Sequence, residues 1–281
     1  MKQDVIETHD ISYAPCRYGN SRLLFRGPQR RLDSPYLAFV GGTETYGKFI
    51  ERPFPVLIEN TMRKTCVNLG CVNGGIDAFL NDPTVIDICR RADMTVVQLM
   101  GANFLTNRFY AVHPRRNDRF LSASTVLQAI YDDVDFSEFS FTRHMLGALY
   151  AKSPGRFDIV VTELRQAWLA RMRLLLDQIG PRVILLWFSE DALNDDHWSR
   201  RPGQLQTDPL FVTLSMVKEL EPLVRDIVVV NPSEAALAKG VKGMRFPESQ
   251  INLASEMLGI ACHAEAGAAL IPALRENLYT I

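Results

Sequence analysis

Short apolar runs alternate with longer helical patterns along most of the chain. Five runs of four to six residues are rich in branched and aromatic side chains and end near a glycine or a small polar residue, which is typical of buried parallel strands. Residues 157–179 and 210–223 instead carry apolar side chains at helical spacing. The strands are predicted at residues 36–40, 65–69, 95–100, 183–188 and 227–230.

This alternation predicts an α/β fold, in which a three-layer, doubly wound, flavodoxin-like sheet of about five mainly parallel strands has helices on both faces. Residues 35–281 are expected to form one domain, with a helical insertion at about residues 104–155. Residues 1–34 show no lasting helical or strand period and are predicted to be an irregular arm. Between positions 11 and 32 this arm has five arginines and no acidic residue. We expect it to pack over the domain or against a second subunit in a homo-oligomer, or to hold an anionic ligand group.

Composition narrows the classes of function. The 281 residues include 31 Lys and Arg against 32 Asp and Glu, and this balance argues against nucleic acid or a membrane surface as partner. No apolar run approaches the roughly 20 residues of a membrane span, and the N-terminus does not resemble a signal peptide. The expectation is a cytoplasmic protein that acts on a small molecule. The five cysteines form no CxxC pair and the histidines have no ligand spacing, so neither disulfides, a metal nor another cofactor is expected.

The residues that follow the predicted strands carry the candidate chemistry, because ligands of such sheets bind beyond the carboxyl ends of the strands. Near the C-terminus, His263 precedes a final helix predicted at residues 268–279. The first three strand ends read Gly41-Gly42-Thr43-Glu44-Thr45-Tyr46-Gly47, Asn68-Leu69-Gly70-Cys71-Val72-Asn73-Gly74 and Gly101-Ala102-Asn103.

In order and spacing, these blocks resemble those of the SGNH (GDSL-type) hydrolases. That family has a GDSxxxG block with the nucleophilic serine, a glycine block, a GxND block and a DxxH histidine before the last helix. The resemblance implies an esterase or O-acyltransferase acting on a small substrate, for example an anionic or sugar-containing one. It places Thr43 at the nucleophile and His263 at the general base. The oxyanion hole would consist of the Thr43 backbone N–H, the N–H of Gly74 (with Gly70 as the alternative) and the Asn103 side-chain amide. The candidate substrate-binding residues are Gly42, Gly70, Glu44 and Arg26.

The chain departs from the family pattern at four positions. Thr43 replaces the serine and adds a methyl group that restricts its χ1 angle. Gly42 and Phe104 replace the aspartates of the first and third blocks, and Ile260 stands where the DxxH aspartate would orient the histidine. In serine proteases the loss of that aspartate costs about 10⁴ in rate. Other groups could orient His263, namely a backbone carbonyl, Glu190, Asp191 or Glu265.

Several alternatives stay open on the sequence alone. The chain could transfer a group by direct displacement with His263 as base and no acyl-enzyme, or it could be a catalytically degenerate binding protein on the same scaffold. Cys71 is an alternative nucleophile, since a thiol there would lie near a helix N-terminus. Residues 68–74 also resemble the glycine loop of S-adenosylmethionine-dependent methyltransferases. Finally, Thr43 could act only as a helix N-cap.

Overall fold

The computed structural model describes residues 11–195, 205 and 208–279, so the first ten residues of the predicted arm lie outside the described residues. The strands at residues 65–70, 36–41, 94–98, 183–188 and 226–230 form one sheet in this order, and every pair of neighbours runs parallel. This order is that of flavodoxin-like sheets, and the predicted α/β fold class is confirmed. The strands of the chain are β1 (Tyr36–Gly41), β2 (Thr65–Gly70), β3 (Met94–Gln98), β4 (Tyr110–His113), β5 (Arg116–Ala123), β6 (Val183–Phe188) and β7 (Asp226–Val230).

Helices cover both faces of the sheet. Along β1, Leu37 and Phe39 belong to one hydrophobic cluster while Ala38 and Val40 belong to the other, because successive side chains of a strand point to opposite faces. This is why the strands read as continuous apolar runs. The helices are α1 (Thr43–Tyr46), α2 (Phe54–Met62), α3 (Ile76–Leu80), α4 (Pro83–Arg91), α5 (Thr125–Ile130), α6 (Thr142–Lys152), α7 (Pro154–Ile179), α8 (Leu214–Lys218), α9 (Glu234–Leu237), α10 (Ile251–Ser255) and α11 (Ile260–Tyr279).

Helices packed on the two faces of the sheet hold the strand ends in position. Helices α2 and α11 pack together on the face of Leu37 and Phe39, where Phe54 and Leu270 are fully buried. On the other face, the long helix α7 buries Trp168, whose indole N–H donates to the backbone oxygen of Met100 over 2.7 Å. That bond anchors the segment that follows β3, from which candidate site residues project.

Three predicted elements need correction. The insertion at about 104–155 is not purely helical, because β4 and β5 form an antiparallel hairpin in it. Irregularities in the register of this hairpin break the two-residue alternation by which a strand is recognised. The last helix begins at Ile260 and not at residue 268, so His263 lies in its first turn. The helix predicted at 210–223 is only α8 and a short 3₁₀ turn, Glu221–Leu223.

The described part of the arm packs on its own domain. Tyr18, Leu23 and Phe25 are buried in the same cluster as the helices of that face. The Ser21 hydroxyl donates to Asp82, the N-cap residue of α4, over 2.7 Å.

No single helix in the described part of the chain is long and apolar enough to cross a membrane. One pair, Glu248–Ser255 with Ile260–Leu278, passes together by length and composition, with a bend of 43° between them.

Candidate functional site

A cavity of about 390 Å³ lies beyond the carboxyl ends of β1 and β3. The strand order reverses between these two strands, and this is where flavodoxin-like sheets bind their ligands. A smaller pocket of about 260 Å³, which we call the outer pocket, continues from this cavity. It shares part of the cavity lining, including Thr43, Glu44 and Asn73. The segments after β1, β2, β3 and β6 line the cavity, together with the segment before α11.

Thr43 begins α1 at the edge of the cavity, but its hydroxyl contacts Asn73. The backbone N–H of Asn73 donates to Thr43 Oγ1 over 3.0 Å, and the Thr43 hydroxyl donates to Asn73 Oδ1 over 3.3 Å. Asn73 has φ = 55°, a left-handed conformation that asparagine tolerates better than most residues. No hydrogen bond joins Thr43 to His263 within the described residues, so the structure does not form the expected nucleophile–base pair.

His263 is fully buried and uses both ring nitrogens. Its Nδ1 accepts the backbone N–H of Phe54 over 3.3 Å, which leaves the ring proton on Nε2. Nε2 lies 3.3 Å from Glu44 Oε2, so the imidazole donates to that carboxylate. The ring stacks on Phe54, with 5.7 Å between centroids, and meets the edge of Phe188 at 5.3 Å. His263 therefore holds Glu44, and Glu44 lines the cavity.

None of the acids considered for orienting His263 does so. Glu265 accepts the hydroxyl of Ser233 over 2.6 Å and its backbone N–H over 2.8 Å, and these bonds lower the pKa of the carboxyl. Glu190 lines the cavity, but its side chain forms no bond to the imidazole. Glu44, expected to bind substrate, is the partner instead.

The expected oxyanion donors are not free and open. The backbone N–H of Gly74 donates to the carbonyl of Cys71 over 3.0 Å. The Asn103 side chain is fully buried, and neither of its polar atoms has a hydrogen-bond partner among the described residues. It lies against Gly101, which lines the cavity and leaves no room there for a side chain. Gly42 and Gly74 line the cavity, whereas Gly70 lies under α1, where a Cβ would overlap the backbone of Tyr46.

The structure places Arg26 outside the cavity. Its guanidinium donates to the carbonyls of Tyr46, Gly47 and Glu51 over 3.2, 2.6 and 2.9 Å. Burial lowers the pKa of this arginine, which also lies over the ring of Tyr13. These bonds satisfy carbonyls at and beyond the end of α1, so Arg26 supports the site's helix and does not take the substrate-binding place expected for it.

The cavity lining is acidic. Its ionisable side chains among the described residues are carboxyl groups and Cys262, with no Lys, Arg or His. Arg143 lines only the outer pocket, where it pairs with Asp208 at 2.5 Å. The carboxyl groups are those of Glu44, Glu190, Asp208 and Glu256.

Neither a thiol nucleophile nor a metal finds support at this site. Burial raises the pKa of Cys71 to about 12, so the thiol stays protonated near neutral pH. The described residues contain no group of three or more His, Cys, Asp or Glu side chains that could hold a metal ion.

Three polar residues of the site were missed by the strand-end argument. Gln98 Oε1 accepts both the N–H and the hydroxyl of Thr45, at 3.1 and 2.6 Å, and thereby ties α1 to β3. Asn73 bonds Thr43, and its Nδ2 donates to Asp118 Oδ2 over 3.2 Å. A glutamine at the end of an apolar strand is a signal that the sequence contains, but nothing in it relates Asp118 to Asn73.

Comparisons with known proteins place the chain in a family. Residues 1–278 match the family model described as Domain of unknown function (DUF6473), and the chain belongs to that family. No curated protein matches it.

Solved structures are similar only at a low level. One is a carbohydrate esterase family 2 enzyme with a carbohydrate-binding domain from Corynascus thermopiles (Myceliophthora fergusii), with a TM-score of 0.43 and 14% identity over 90% of this chain and 69% of that one. The lipase Lip_vut3 from a goat rumen metagenome has a TM-score of 0.39 and 12% identity over 85% of this chain and 97% of that one. A family two carbohydrate esterase from Cellvibrio japonicus has a TM-score of 0.37 and 14% identity over 91% of this chain and 64% of that one. With TM-scores this low, function has to be inferred from this chain's own site.

Proposed function

We propose that this member of the DUF6473 family binds a small, neutral or cationic substrate in the cavity and hydrolyses or transfers an ester-linked acyl group, with Glu44 as general base. The observation that carries the proposal is the contact of 3.3 Å between His263 Nε2 and Glu44 Oε2. It holds a carboxylate in place at the cavity wall, where it can take a proton from water or a hydroxyl group. The acyl group is the part that rests on the resemblance of the strand-end blocks to SGNH hydrolases.

The reaction proceeds by direct attack. Glu44 removes a proton from a water molecule while the water oxygen bonds to the acyl carbon, and the carbonyl electrons move to its oxygen. The tetrahedral intermediate then re-forms the carbonyl and expels the alcohol oxygen, which takes the proton back from Glu44. In acyl transfer, a hydroxyl of a second substrate replaces the water. Asn103 is the candidate oxyanion donor, since its Nδ2 has no hydrogen-bond partner among the described residues.

Direct attack is favoured over an acyl-enzyme on Thr43. The Thr43 hydroxyl proton is donated to Asn73 Oδ1, an amide oxygen that cannot remove it. His263, the base that the family resemblance assigns to this hydroxyl, is bonded to Glu44 and Phe54. A nucleophilic hydroxyl needs an adjacent base, and the described residues place none on Thr43.

The charge of the lining defines the substrate class. Glu190 and Glu256 line the cavity, and neither forms an ion pair with another described residue. A substrate anion about 4 Å from one such carboxylate is opposed by about 4 kcal/mol at the effective dielectric constant near a protein surface. An anionic substrate is therefore disfavoured, whereas a sugar or an amine supplies the hydrogen-bond donors that carboxylates accept.

A panel of short acyl esters tests the proposal. Acetylated neutral sugars and a cationic choline ester should turn over faster than an anionic ester of the same acyl group. Glu44→Gln should lower kcat by about 10²–10⁴, the usual contribution of a general base, whereas Thr43→Val should stay within about tenfold of the parent. Glu221→Gln, at an exposed glutamate outside the cavity, is the matched control. Full activity in Glu44→Gln, or fluorophosphonate labelling of Thr43 with loss of activity in Thr43→Val, would overturn direct attack by Glu44.

A non-catalytic binding protein is the second candidate, and the oxyanion donors favour it. The Gly74 N–H is already donated to Cys71, and the Asn103 amide is buried, so no donor pair is preformed. This candidate predicts that no ester in the panel turns over, while a neutral sugar or an amine raises the melting temperature saturably. Any turnover that Glu44→Gln removes excludes it.

A further inference from the structure

The β4–β5 hairpin reaches the site through two neighbouring residues of β5, Asn117 and Asp118. Asn117 is fully buried, and its Oδ1 accepts the backbone N–H groups of Gly75 and Ala78 over 2.8 and 3.3 Å. Its Nδ2 donates to the carbonyl of His113, across the hairpin, over 3.0 Å. Asn117 therefore fixes the loop of residues 71–75 where it enters α3.

Asp118 holds the middle of the same loop. Its Oδ2 accepts Asn73 Nδ2 over 3.2 Å, and only 7% of the residue is exposed. The Thr142 hydroxyl donates to the Asp118 carbonyl over 3.2 Å and so joins this position to α6. On the opposite side of the loop, Gly75 packs so closely on the backbone of Phe104 that a side chain would overlap it. The loop is thus confined between the hairpin and the segment after β3.

The carboxylate of Asp118 determines which way the Asn73 amide points. A carboxylate only accepts hydrogen bonds, so Nδ2 must face Asp118 and Oδ1 must face Thr43. Because Oδ1 is also only an acceptor, the Thr43 hydroxyl donates its proton there. The Asn73 backbone N–H occupies one lone pair of Thr43 Oγ1, and one lone pair is left. Thr43 lines both the cavity and the outer pocket, where this lone pair can accept a hydrogen bond.

We propose that Asp118 is a positioning residue, which through Asn73 holds the Thr43 hydroxyl as an acceptor for a hydroxyl or ammonium group of the substrate. The inserted hairpin is then a part of the site, although the Asp118 side chain acts only through Asn73 and does not itself contact the substrate. The bound molecule is that of the proposed function, while the chain of bonds from Asp118 to Thr43 does not depend on the reaction.

The side-chain amide signals of Asn73 in a nitrogen–proton NMR spectrum test the chain of bonds without any substrate. Asn73→Gly identifies these signals by removing them, and glycine accepts the φ of 55° at this position. Asp118→Ala should shift them and speed their exchange with water, whereas Asp118→Asn should restore them, since the new amide oxygen can accept the same bond. Asp132→Ala, at an exposed carboxylate of the same insertion, should leave them unchanged. Unchanged signals in Asp118→Ala would overturn the proposal.

Kinetics on an ester that the parent protein turns over test the positioning role. Asp118→Ala and Asn73→Gly should each raise KM about fivefold, the effect of one hydrogen bond, and change kcat less than twofold. Because Asp118 acts through Asn73, the double variant should be no worse than Asn73→Gly alone, and additive losses would refute this. If Asp118→Ala does not fold, Asn73→Gly should still raise KM about fivefold while Asp118→Asn, which keeps the bond to Asn73, stays near the parent value; equal KM values in these two variants would overturn the positioning role.

The two proposals fail separately. Shifted Asn73 signals in Asp118→Ala with no ester turnover uphold the positioning of Thr43 and remove the proposed reaction. Turnover that depends on Glu44, together with unshifted signals and an unchanged KM in Asp118→Ala, upholds the reaction and removes the positioning role.

Discussion

Replacing His263 with phenylalanine removes two hydrogen bonds and keeps an aromatic ring between Phe54 and Phe188. The backbone N–H of Phe54 is the first of helix α2, and its preceding residue provides no side-chain cap, so His263 Nδ1 caps this helix from α11. The second bond, from Nε2, ends on Glu44. We therefore predict that His263→Phe destabilises the protein as well as the site.

The magnitude follows from the burial of each partner. An N–H left unpaired in a fully buried place costs about 1–3 kcal/mol. The bond to Glu44 contributes about 1 kcal/mol, below the roughly 1.5–3 kcal/mol usual for a charged acceptor, because part of that carboxylate can be solvated instead. The expected loss is about 3 kcal/mol. With an unfolding entropy of about 2.1 cal/mol/K per residue, this lowers the melting temperature of a chain of this length by about 5 °C.

Urea and thermal unfolding followed by circular dichroism measure this loss. Glu44→Gln is the matched control, because a glutamine oxygen still accepts the proton of Nε2 and the cap on Phe54 is untouched; its stability should stay within about 1 kcal/mol of the parent. If His263→Phe is as stable as the parent, the ring does not cap α2. If Glu44→Gln loses as much as His263→Phe, the stability lies in the charge of Glu44 and not in the imidazole.

Two further predictions concern ionisation. The Arg156 hydrogen bonds lower the pKa of Asp133 to about 2, below its unfolded value, so the stability from this pair is present above about pH 4 and is lost as pH falls through about 2. Asp133→Asn should lower the melting temperature clearly more at pH 6 in low salt than at pH 2, where much of the carboxyl is protonated, and an equal effect at both would contradict the pairing. Burial raises the pKa of Cys16, and raises those of Cys71 and Cys89 to about 12. Cys16 is the one cysteine of the five that is not buried, so iodoacetamide at pH 8 should label it first in the native protein, as mass spectrometry would show. Early labelling of Cys71 would mean that the loop of residues 71–75 opens.

The sheet could be predicted because both of its faces are covered. Each strand then consists mostly of apolar residues, and only its ends shift by a residue or two, as at β3, which begins at Met94 and ends at Gln98. The hairpin escaped prediction for the opposite reason. Its strand β5 carries polar side chains, and the register irregularities near Val112 remove the alternation that marks a half-buried strand.

Within the site, the sequence predicted which segments lie at the cavity better than it predicted which side chains are hydrogen-bonded to each other. The residues after β1 and β3 do line the cavity, because parallel strands bring their carboxyl ends to one edge whatever the side chains are. The pairing of His263 with Glu44 spans 219 positions and depends on how α11 packs against α2, which no local pattern encodes. Similarly, Asp118 reaches Asn73 only through the fold of the hairpin.

The missing aspartate at position 260 and the partner of His263 have one physical explanation. Ile260 begins α11 and packs against an apolar cluster that includes Phe49 and Met244, so this position serves packing and offers no carboxylate to the imidazole. The carboxylate comes instead from Glu44, next to Thr43, and so lies on the cavity side of the ring. In the order that the resemblance implied, an acid holds a histidine that faces the substrate. Here the histidine holds an acid at the cavity wall, and this reversal leaves a carboxylate, Glu44, in the place where we propose the general base.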